Sequence, residues 1–424
     1  MALDPNLLTL QLRPELLVEA ARRARANGFE IVREQCLAVT LIARNTDDAI
    51  TSGPLPFAQS SSPSVYRQLD ELGVVAVAGD IGKGSISLAG GSICSCALTL
   101  DGKRWRVKKS VTNSPITRLD TADRHAGEFR ILSRMQSDAP LLFPPVEAPT
   151  TRTQIDLRFL PYYTLGELFV QGRTDIQGVL SVIDHIFDAL RKRLYHQVAS
   201  GQPETYLDKV ERRMDELLRK SRRATWYECL YTYGATVNGE PLPPIKDTIA
   251  RIKASPTAAI ALTIRTPRLC HGDLIPEDIL VDAVNGGFCL LDPNPQVGDP
   301  LADLAKLVMS CEVQYDLALR DLIECHATSG HVLEIAYCVP ASFAGYTAQQ
   351  HEIAAALLLR GHALLGPELT PDERTRPAAI RLLAGLQAMA ISLFHSVHHH
   401  KEARALYFMV KGQQLVETAL SDLD

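Results

Sequence analysis

The 424-residue sequence predicts an α+β protein with a β-rich N-terminal lobe and a large α-helical C-terminal lobe, preceded by a small N-terminal extension. Short runs rich in β-forming residues recur between residues 74 and 109, whereas apolar residues at helical spacing dominate after residue 175. The length exceeds what one hydrophobic core normally organises, at roughly 150 residues per domain. The chain is therefore long enough to build two lobes and a cleft.

Composition and charge exclude several classes of protein. The 44 Lys and Arg against 49 Asp and Glu leave a net charge of −5, which gives no general electrostatic reason to bind nucleic acid or an acidic membrane. No uninterrupted apolar run approaches the roughly 18 residues that a bilayer requires. The nine cysteines include no Cys-x-x-Cys pair, so neither a disulfide framework nor a zinc ribbon is indicated. We expect a cytoplasmic protein; the sequence specifies no oligomeric state.

Residues 1–75 form the predicted extension. Apolar positions at helical spacing predict a helix over residues 14–27, followed by two β-rich runs at residues 29–32 and 37–42. A polar, Pro- and Ser-rich stretch from residue 45 to residue 64 then indicates a loop. No motif in this segment points to a role.

The two lobes are predicted over residues 76–163 and 164–424. In the first, runs at residues 74–77, 87–88, 96–100 and 105–109 predict a meander of hairpins, with Asp101-Gly102 as one turn. In the second, two apolar stripes predict amphipathic helices. One runs from Ile176 to Leu194 and the other from Leu207 to Leu218.

Residues 271–292 carry the pattern most informative about chemistry. They begin with His-Gly-Asp, and two apolar strands then flank a turn at Asn285-Gly286. A hairpin centred near that turn brings Asp278 and Asp292, at its two open ends, side by side. Two carboxylates repel each other unless a cation lies between them, which predicts a divalent metal. Asp273, outside the strands, is then the separate acid or base.

This stretch resembles the catalytic core of the aminoglycoside phosphotransferase family, which has a protein-kinase-like two-lobe fold. Its His-Gly-Asp is matched at residues 271–273 and its metal-binding aspartate at Asp292, and residues 298–305 resemble the helix that follows. The resemblance implies that Asp273 is the catalytic residue and that Asp278 and Asp292 hold Mg²⁺. Asp278 departs from the family pattern, which has Asn there, and adds a negative charge beside ATP. We expect Asp303 to brace the His-Gly-Asp loop and His271 to be structural.

The resemblance also implies a nucleotide site for ATP or another nucleoside triphosphate. A glycine-containing phosphate loop is expected at Gly90, Gly91 and Ser92, where backbone N–H groups can approach phosphates. Either Lys108 or Lys109 is expected to bind the α and β phosphates: an apolar residue directly before it favours Lys108, and period-2 alternation with Val107 favours Lys109. The remaining expected residues are Glu128, which would pair with that lysine, and Leu160 in the hinge beside adenine.

The resemblance implies a kinase that phosphorylates a hydroxyl of a small molecule, with a sugar, aminoglycoside or aminocyclitol as the expected acceptor. Only seven positions separate Asp292 from Asp299, too few for the segment on which a protein kinase lays a peptide. The alternative is a nucleotide-binding pseudokinase with a regulatory or interaction role, because Asp278 replaces the family Asn. Both alternatives predict stabilisation by ATP, and turnover separates them.

Overall fold

The computed structural model describes residues 7–11, 29–35, 38–43, 85–88, 94–101, 104–111, 142–146, 154–158, 163–170, 175–198, 203–264, 267–282, 287–293, 296–329, 332–366, 375–398 and 401–423. The chain divides into two compact units. Unit 1 comprises Met1–Glu167 and Asp278–Pro293, and unit 2 comprises Leu168–Glu277 and Asn294–Asp424. The hairpin that carries Asp278 and Asp292 therefore belongs to unit 1 and not to the helical lobe, where the sequence predicted it.

The strands lie in both units. They are β1 (Leu7–Gln11), β2 (Phe29–Gln35), β3 (Ala38–Ala43), β4 (Ser85–Leu88), β5 (Cys94–Asp101), β6 (Arg104–Val111), β7 (Gln154–Arg158), β8 (Tyr163–Thr164), β9 (Ala235–Val237), β10 (Glu240–Leu242), β11 (Arg268–Cys270), β12 (Ile279–Asp282), β13 (Gly287–Leu290), β14 (Gln296–Gly298), β15 (Glu324–Ser329) and β16 (Leu333–Cys338).

The helices of the described residues follow β8. They are α1 (Leu165–Val170), α2 (Ile176–Leu190), α3 (Tyr206–Lys220), α4 (Ala224–Thr232), α5 (Ile245–Ala254), α6 (Pro256–Leu262), α7 (Pro300–Glu312), α8 (Tyr315–Leu319), α9 (Ala344–Leu365), α10 (Arg376–Leu393) and α11 (Glu402–Leu423). Short π turns follow α2, at Arg191–Tyr195, and α10, at Phe394–His398.

The described residues of unit 1 form three antiparallel sheets, with strand orders β1-β3-β2, β4-β5-β6-β7 and β13-β12-β8. The predicted β runs at residues 29–32, 37–42, 87–88, 96–100 and 105–109 are confirmed as strands. Strand β1 was not predicted. The predicted helix over residues 14–27 and the run at residues 74–77 lie outside the described residues. A β-rich unit 1 is thus confirmed for the described part of the chain.

Unit 2 is predominantly helical, and both predicted amphipathic helices are confirmed. On α3 the buried residues Val210, Met214 and Leu217 recur at helical spacing, and Asp175 caps the N-terminus of α2 by accepting from Gly178 N–H at 2.7 Å. The unit also contains the sheet β10-β9-β16-β15 and the pair β11-β14. The four-stranded sheet was not predicted.

Helices α10 and α11 pack closely at the centre of unit 2. A β-carbon at Gly385 would lie 2.6 Å from the Gly412 carbonyl oxygen, so only glycine permits this approach of the two backbones. Residues 376–397 are long and apolar enough to cross a membrane by length and composition, but 78% of their most apolar window is buried inside the protein. We therefore describe this segment as a core helix. Gln387 on α10 donates to the carbonyl of Ala302 on α7 at 2.9 Å, so α10 contacts α7.

Candidate active site

The loop at residues 271–275 begins where a short antiparallel pair of strands ends. In unit 2, β11 pairs with β14 in the register Cys270 to Gln296 and Arg268 to Gly298. The loop directly follows β11, and α7 follows β14. Both segments are therefore connected to the same pair of strands. Asp299 caps α7 by accepting from Leu301 N–H at 2.9 Å, and Pro300 occupies its first turn.

The side chain of Asp303, on α7, holds the loop by accepting hydrogen bonds from the loop backbone. Its Oδ2 accepts from His271 N–H at 2.9 Å and its Oδ1 accepts from Gly272 N–H at 2.8 Å. Tyr195 adds a third donor, with its hydroxyl 2.9 Å from Asp303 Oδ2. The Asp303 side chain is 1% exposed, and its hydrogen bonds with His271 and Tyr195 are buried with it, so these two donors have no water to replace the carboxylate. The prediction that Asp303 braces this loop is confirmed.

Burial raises the pKa of Asp303, while nearby His271 and the two backbone donors act in the opposite direction. His271 is itself fully buried, and its Nδ1 lies 3.4 Å from the backbone nitrogen of Asp273. Gly272 adopts φ +83°, a left-handed conformation that favours glycine. The tripeptide is therefore a fixed turn with Asp273 at its end.

Asp273 pairs with a lysine that the sequence analysis did not identify. Lys306 Nζ lies 3.1 Å from Asp273 Oδ1, with the two side chains 12% and 34% exposed, respectively. Lys306 follows Asp303 by three positions on α7, a spacing that puts both residues on one face of the helix. That spacing was the signal that could have revealed Lys306. The same helix therefore fixes the loop backbone and contacts the candidate catalytic side chain.

A buried ion pair anchors the far end of the loop. Glu277 Oε1 lies 2.6 Å from Arg320 Nη2, and the side chains are only 17% and 7% exposed. Arg320 also donates to the carbonyl of Asp316 at 2.7 Å. Glu277 immediately precedes Asp278 in the chain. The loop is thus held at both ends, by Asp303 and by Arg320.

In unit 1, the hairpin brings Asp278 and Asp292 to its open end, as predicted. Ile279 lies opposite Leu290, and Leu291 N–H donates to the Asp278 carbonyl at 2.8 Å. Leu291, not Asp292, is therefore directly opposite Asp278, which corrects the expected register by one residue. Strand β13 ends at Leu290, and Asp292, two residues beyond it, has φ +46°. The turn at residues 283–286 lies outside the described residues.

A carboxylate pair of this kind fits Mg²⁺ by its donor chemistry, because that ion is usually bound by one or two carboxylates together with water and substrate phosphates. No cluster of three or more His, Cys, Asp or Glu side chains suited to a metal occurs in the part of the chain that the structure describes. The role of Asp278 and Asp292 as metal ligands stays a prediction.

Lys108 and Lys109 both lie on β6, so the predicted strand is confirmed. Lys108 is opposite Asp156 and Lys109 is opposite Ile155. Residues directly opposite share a face, so Lys109 shares its face with Ile155 and Lys108 belongs to the other face. Ile155 is fully buried. The register leaves open which of the two lysines binds phosphate.

The remaining predicted nucleotide residues lie outside the described residues. They are Gly90, Gly91, Ser92, Glu128 and Leu160. Their roles stay predictions.

Asp303→Ala is expected to lower the free energy of unfolding by about 3–5 kcal/mol, because two buried donors and one half-buried donor lose their acceptor. Asp299→Ala on the same helix is a matched control that removes one cap and costs about 1 kcal/mol. Urea denaturation of the full chain measures both. Equal, small losses would contradict the bracing role of Asp303.

Comparison with known proteins finds similarity at the level of solved structures. Aminoglycoside phosphotransferase APH(4)-Ia has 14% identity and a TM-score of 0.47, over 80% of this chain and 93% of that chain. Choline kinase from Cryptosporidium parvum has 10% identity and a TM-score of 0.46, over 79% and 90%. Spectinomycin phosphotransferase APH(9)-Ia, in complex with ADP and spectinomycin, has 11% identity and a TM-score of 0.47, over 80% and 92%. No family model and no curated protein matches the chain.

Proposed function

We propose that this protein is an ATP-dependent phosphotransferase with a protein-kinase-like two-lobe fold, which phosphorylates a hydroxyl of a small molecule. The observation that carries the proposal is the fixed loop ending in Asp273: Asp303 holds it through two backbone donors at 2.8 and 2.9 Å, and Lys306 holds the Asp273 carboxylate at 3.1 Å. Asp278 follows five residues later, at the end of a hairpin whose other end carries Asp292. A rigid acid or base followed by paired carboxylates suits phosphoryl transfer.

In the proposed reaction the acceptor hydroxyl oxygen attacks the γ-phosphorus of ATP, the bond to the β-phosphate oxygen breaks, and ADP leaves. Asp273 orients the hydroxyl and takes its proton. Lys306 is a positioning residue, because it acts through Asp273. Mg²⁺ bound by Asp278 and Asp292 would neutralise charge on the phosphate oxygens.

The nucleotide assignments extend the proposal to unit 1. Lys108 or Lys109 would bind the α and β phosphates, with Glu128 as the partner of that lysine. The phosphate loop would be formed by Gly90, Gly91 and Ser92, and Leu160 would lie beside adenine. These roles rest on the motif resemblance of the sequence.

An ADP-release screen tests the proposal. We expect release that depends on both Mg²⁺ and an acceptor, across a panel of sugars, sugar acids, aminocyclitols and aminoglycosides. Thermal stabilisation by ATP without turnover on any acceptor would instead support the pseudokinase alternative, which is favoured by the extra carboxylate at Asp278.

Lys108→Ala and Lys109→Ala are expected to differ sharply, because adjacent strand residues belong to opposite faces and only one can contact the phosphates. The variant that removes the phosphate ligand should raise the KM for ATP by about tenfold or more, and the other should leave it nearly unchanged. Steady-state kinetics at saturating acceptor measures both. Equal, mild effects would show that β6 is not the phosphate-binding strand.

A further inference from the structure

Three basic side chains of unit 2 interact electrostatically with Asp273. Lys306 is paired with it at 3.1 Å. Lys209 and Arg213 lie four positions apart on α3, so they occupy the same face of that helix. The charge of Asp273 acts on both of them. We call Lys209, Arg213 and Lys306 the basic cluster.

Lys209 and Arg213 are held by groups that do not neutralise them. The Arg213 guanidinium lies 4.5 Å from the centroid of the Phe394 ring and donates to the Ala390 carbonyl at 2.7 Å. Lys209 Nζ lies 5.3 Å from the centroid of the Tyr206 ring. Within the described ranges, neither makes an ion pair with an Asp or Glu side chain. Ring and carbonyl contacts position a cation but leave its charge uncompensated.

The nearby carboxylates are engaged by other bases. Asp273 is paired with Lys306, and Glu204 accepts from Arg212 at 2.8 and 2.9 Å through both of its oxygens. Burial, reinforced by repulsion from Arg213 and Lys306, lowers the pKa of Lys209 to about 7, against the attraction of Asp273 and Glu204. Burial and repulsion from Arg212 lower the pKa of Arg213 to about 10. The cluster therefore carries excess positive charge beside Asp273.

We infer that the acceptor carries an oxyanion, a carboxylate or a phosphate, close to the hydroxyl that is phosphorylated, and that Lys209 and Arg213 bind this group. The inference rests on the proposed function and narrows its acceptor class. A partly desolvated Lys and Arg pair that lacks a carboxylate partner is matched by an anion, with the planar guanidinium able to make two parallel hydrogen bonds to it. A polycationic acceptor such as an aminoglycoside would instead be repelled by the cluster.

The pH dependence of acceptor binding follows from Lys209. Below pH 7 its ammonium is charged and attracts the oxyanion, and the attraction is lost as the pH rises through about 7. Arg213 stays charged throughout this range. We therefore expect the KM for an anionic acceptor to rise between pH 6 and pH 8, while the KM for ATP does not follow the same profile.

The test compares matched compounds of three charge classes as acceptors: neutral sugars, sugar acids and sugar phosphates, and aminosugars together with aminoglycosides. We expect the highest kcat/KM for an oxyanion-bearing compound. Lys209→Gln and Arg213→Gln should each raise its KM by about ten- to a hundredfold with a smaller change in kcat. Lys220→Gln, at the exposed end of the same helix, is the matched control and should change neither. Lys209→Arg should restore binding and remove the pH dependence near 7.

Two kinetic results and one binding result would each overturn the inference while leaving the proposed function intact. One is transfer that is fastest to a neutral or cationic acceptor. The other is a Lys209→Gln variant that raises the KM for ATP instead of that for the acceptor, which would assign the cluster to the nucleotide phosphates. Calorimetric titration of the same panel without nucleotide gives a reading independent of turnover. Equal affinity of anionic compounds for the wild type and for Lys209→Gln would likewise refute it.

Discussion

Replacing Asp273 with alanine is expected to lower kcat by roughly 10²–10⁴, with little change in nucleotide affinity, because a positioned base acts chiefly in the transition state. The loop itself should persist in this variant, since Asp303 holds it through the backbone of His271 and Gly272 and not through the Asp273 side chain. Steady-state kinetics and calorimetric titration of nucleotide measure the two effects separately.

Asp188→Ala is a suitable control for Asp273→Ala. Asp188 is a surface carboxylate that also pairs with lysine, at 2.6 Å from Lys192 Nζ, and its removal should leave kcat unchanged. Asp273→Asn keeps the shape of the side chain but weakens its attraction to Lys306 and its capacity to take a proton, so it should lose nearly as much activity as the alanine variant. Near-normal turnover in either Asp273 variant would remove this residue from the mechanism.

Substitution of either hairpin carboxylate by alanine is the second large effect. Asp278→Ala and Asp292→Ala are each expected to abolish metal-dependent turnover, because each removes one of the two assigned protein ligands. Asp278→Asn retains an oxygen ligand and should keep activity, shifting only the Mg²⁺ concentration that gives the half-maximal rate. Titrating Mg²⁺ at fixed ATP for the wild type and the three variants measures this.

The competing hypothesis makes the opposite prediction for Asp278→Asn. If the additional carboxylate repels the triphosphate, the wild type is inactive with every acceptor, and the asparagine variant binds nucleotide more tightly or gains activity. A gain of turnover in Asp278→Asn alone would contradict an enzymatic role for the natural sequence. Turnover in the wild type together with a shifted Mg²⁺ requirement would support it.

Local sequence patterns predicted the parts of the site that depend on short-range geometry. The Asn285-Gly286 turn and its flanking apolar strands identified the hairpin, so the approach of Asp278 to Asp292 was predictable. The register differed by one residue, because neither a turn centre nor alternation specifies where a strand stops. Strand β13 ends at Leu290, and Asp292 beyond it has a positive φ. The bracing role of Asp303 followed from the motif.

Features that depend on contacts distant in sequence were not predictable in this way. Strand β9 has three residues and pairs in parallel with β16, about a hundred positions later, so neither length nor periodicity marks it. The pairing of Lys306 with Asp273 and the proximity of Lys209 and Arg213 to it require three separate segments to meet. A single lysine or arginine on a helix is usually solvated, and its local sequence does not reveal such an encounter.

The most direct test is mass spectrometry of the acceptor after incubation with the purified protein, ATP and Mg²⁺. We expect a product heavier by one phosphoryl group, formed in step with ADP, absent without Mg²⁺ and strongly reduced in Asp273→Ala. ADP formed without any phosphorylated acceptor, or a product that forms equally well with Asp273→Ala, would contradict it.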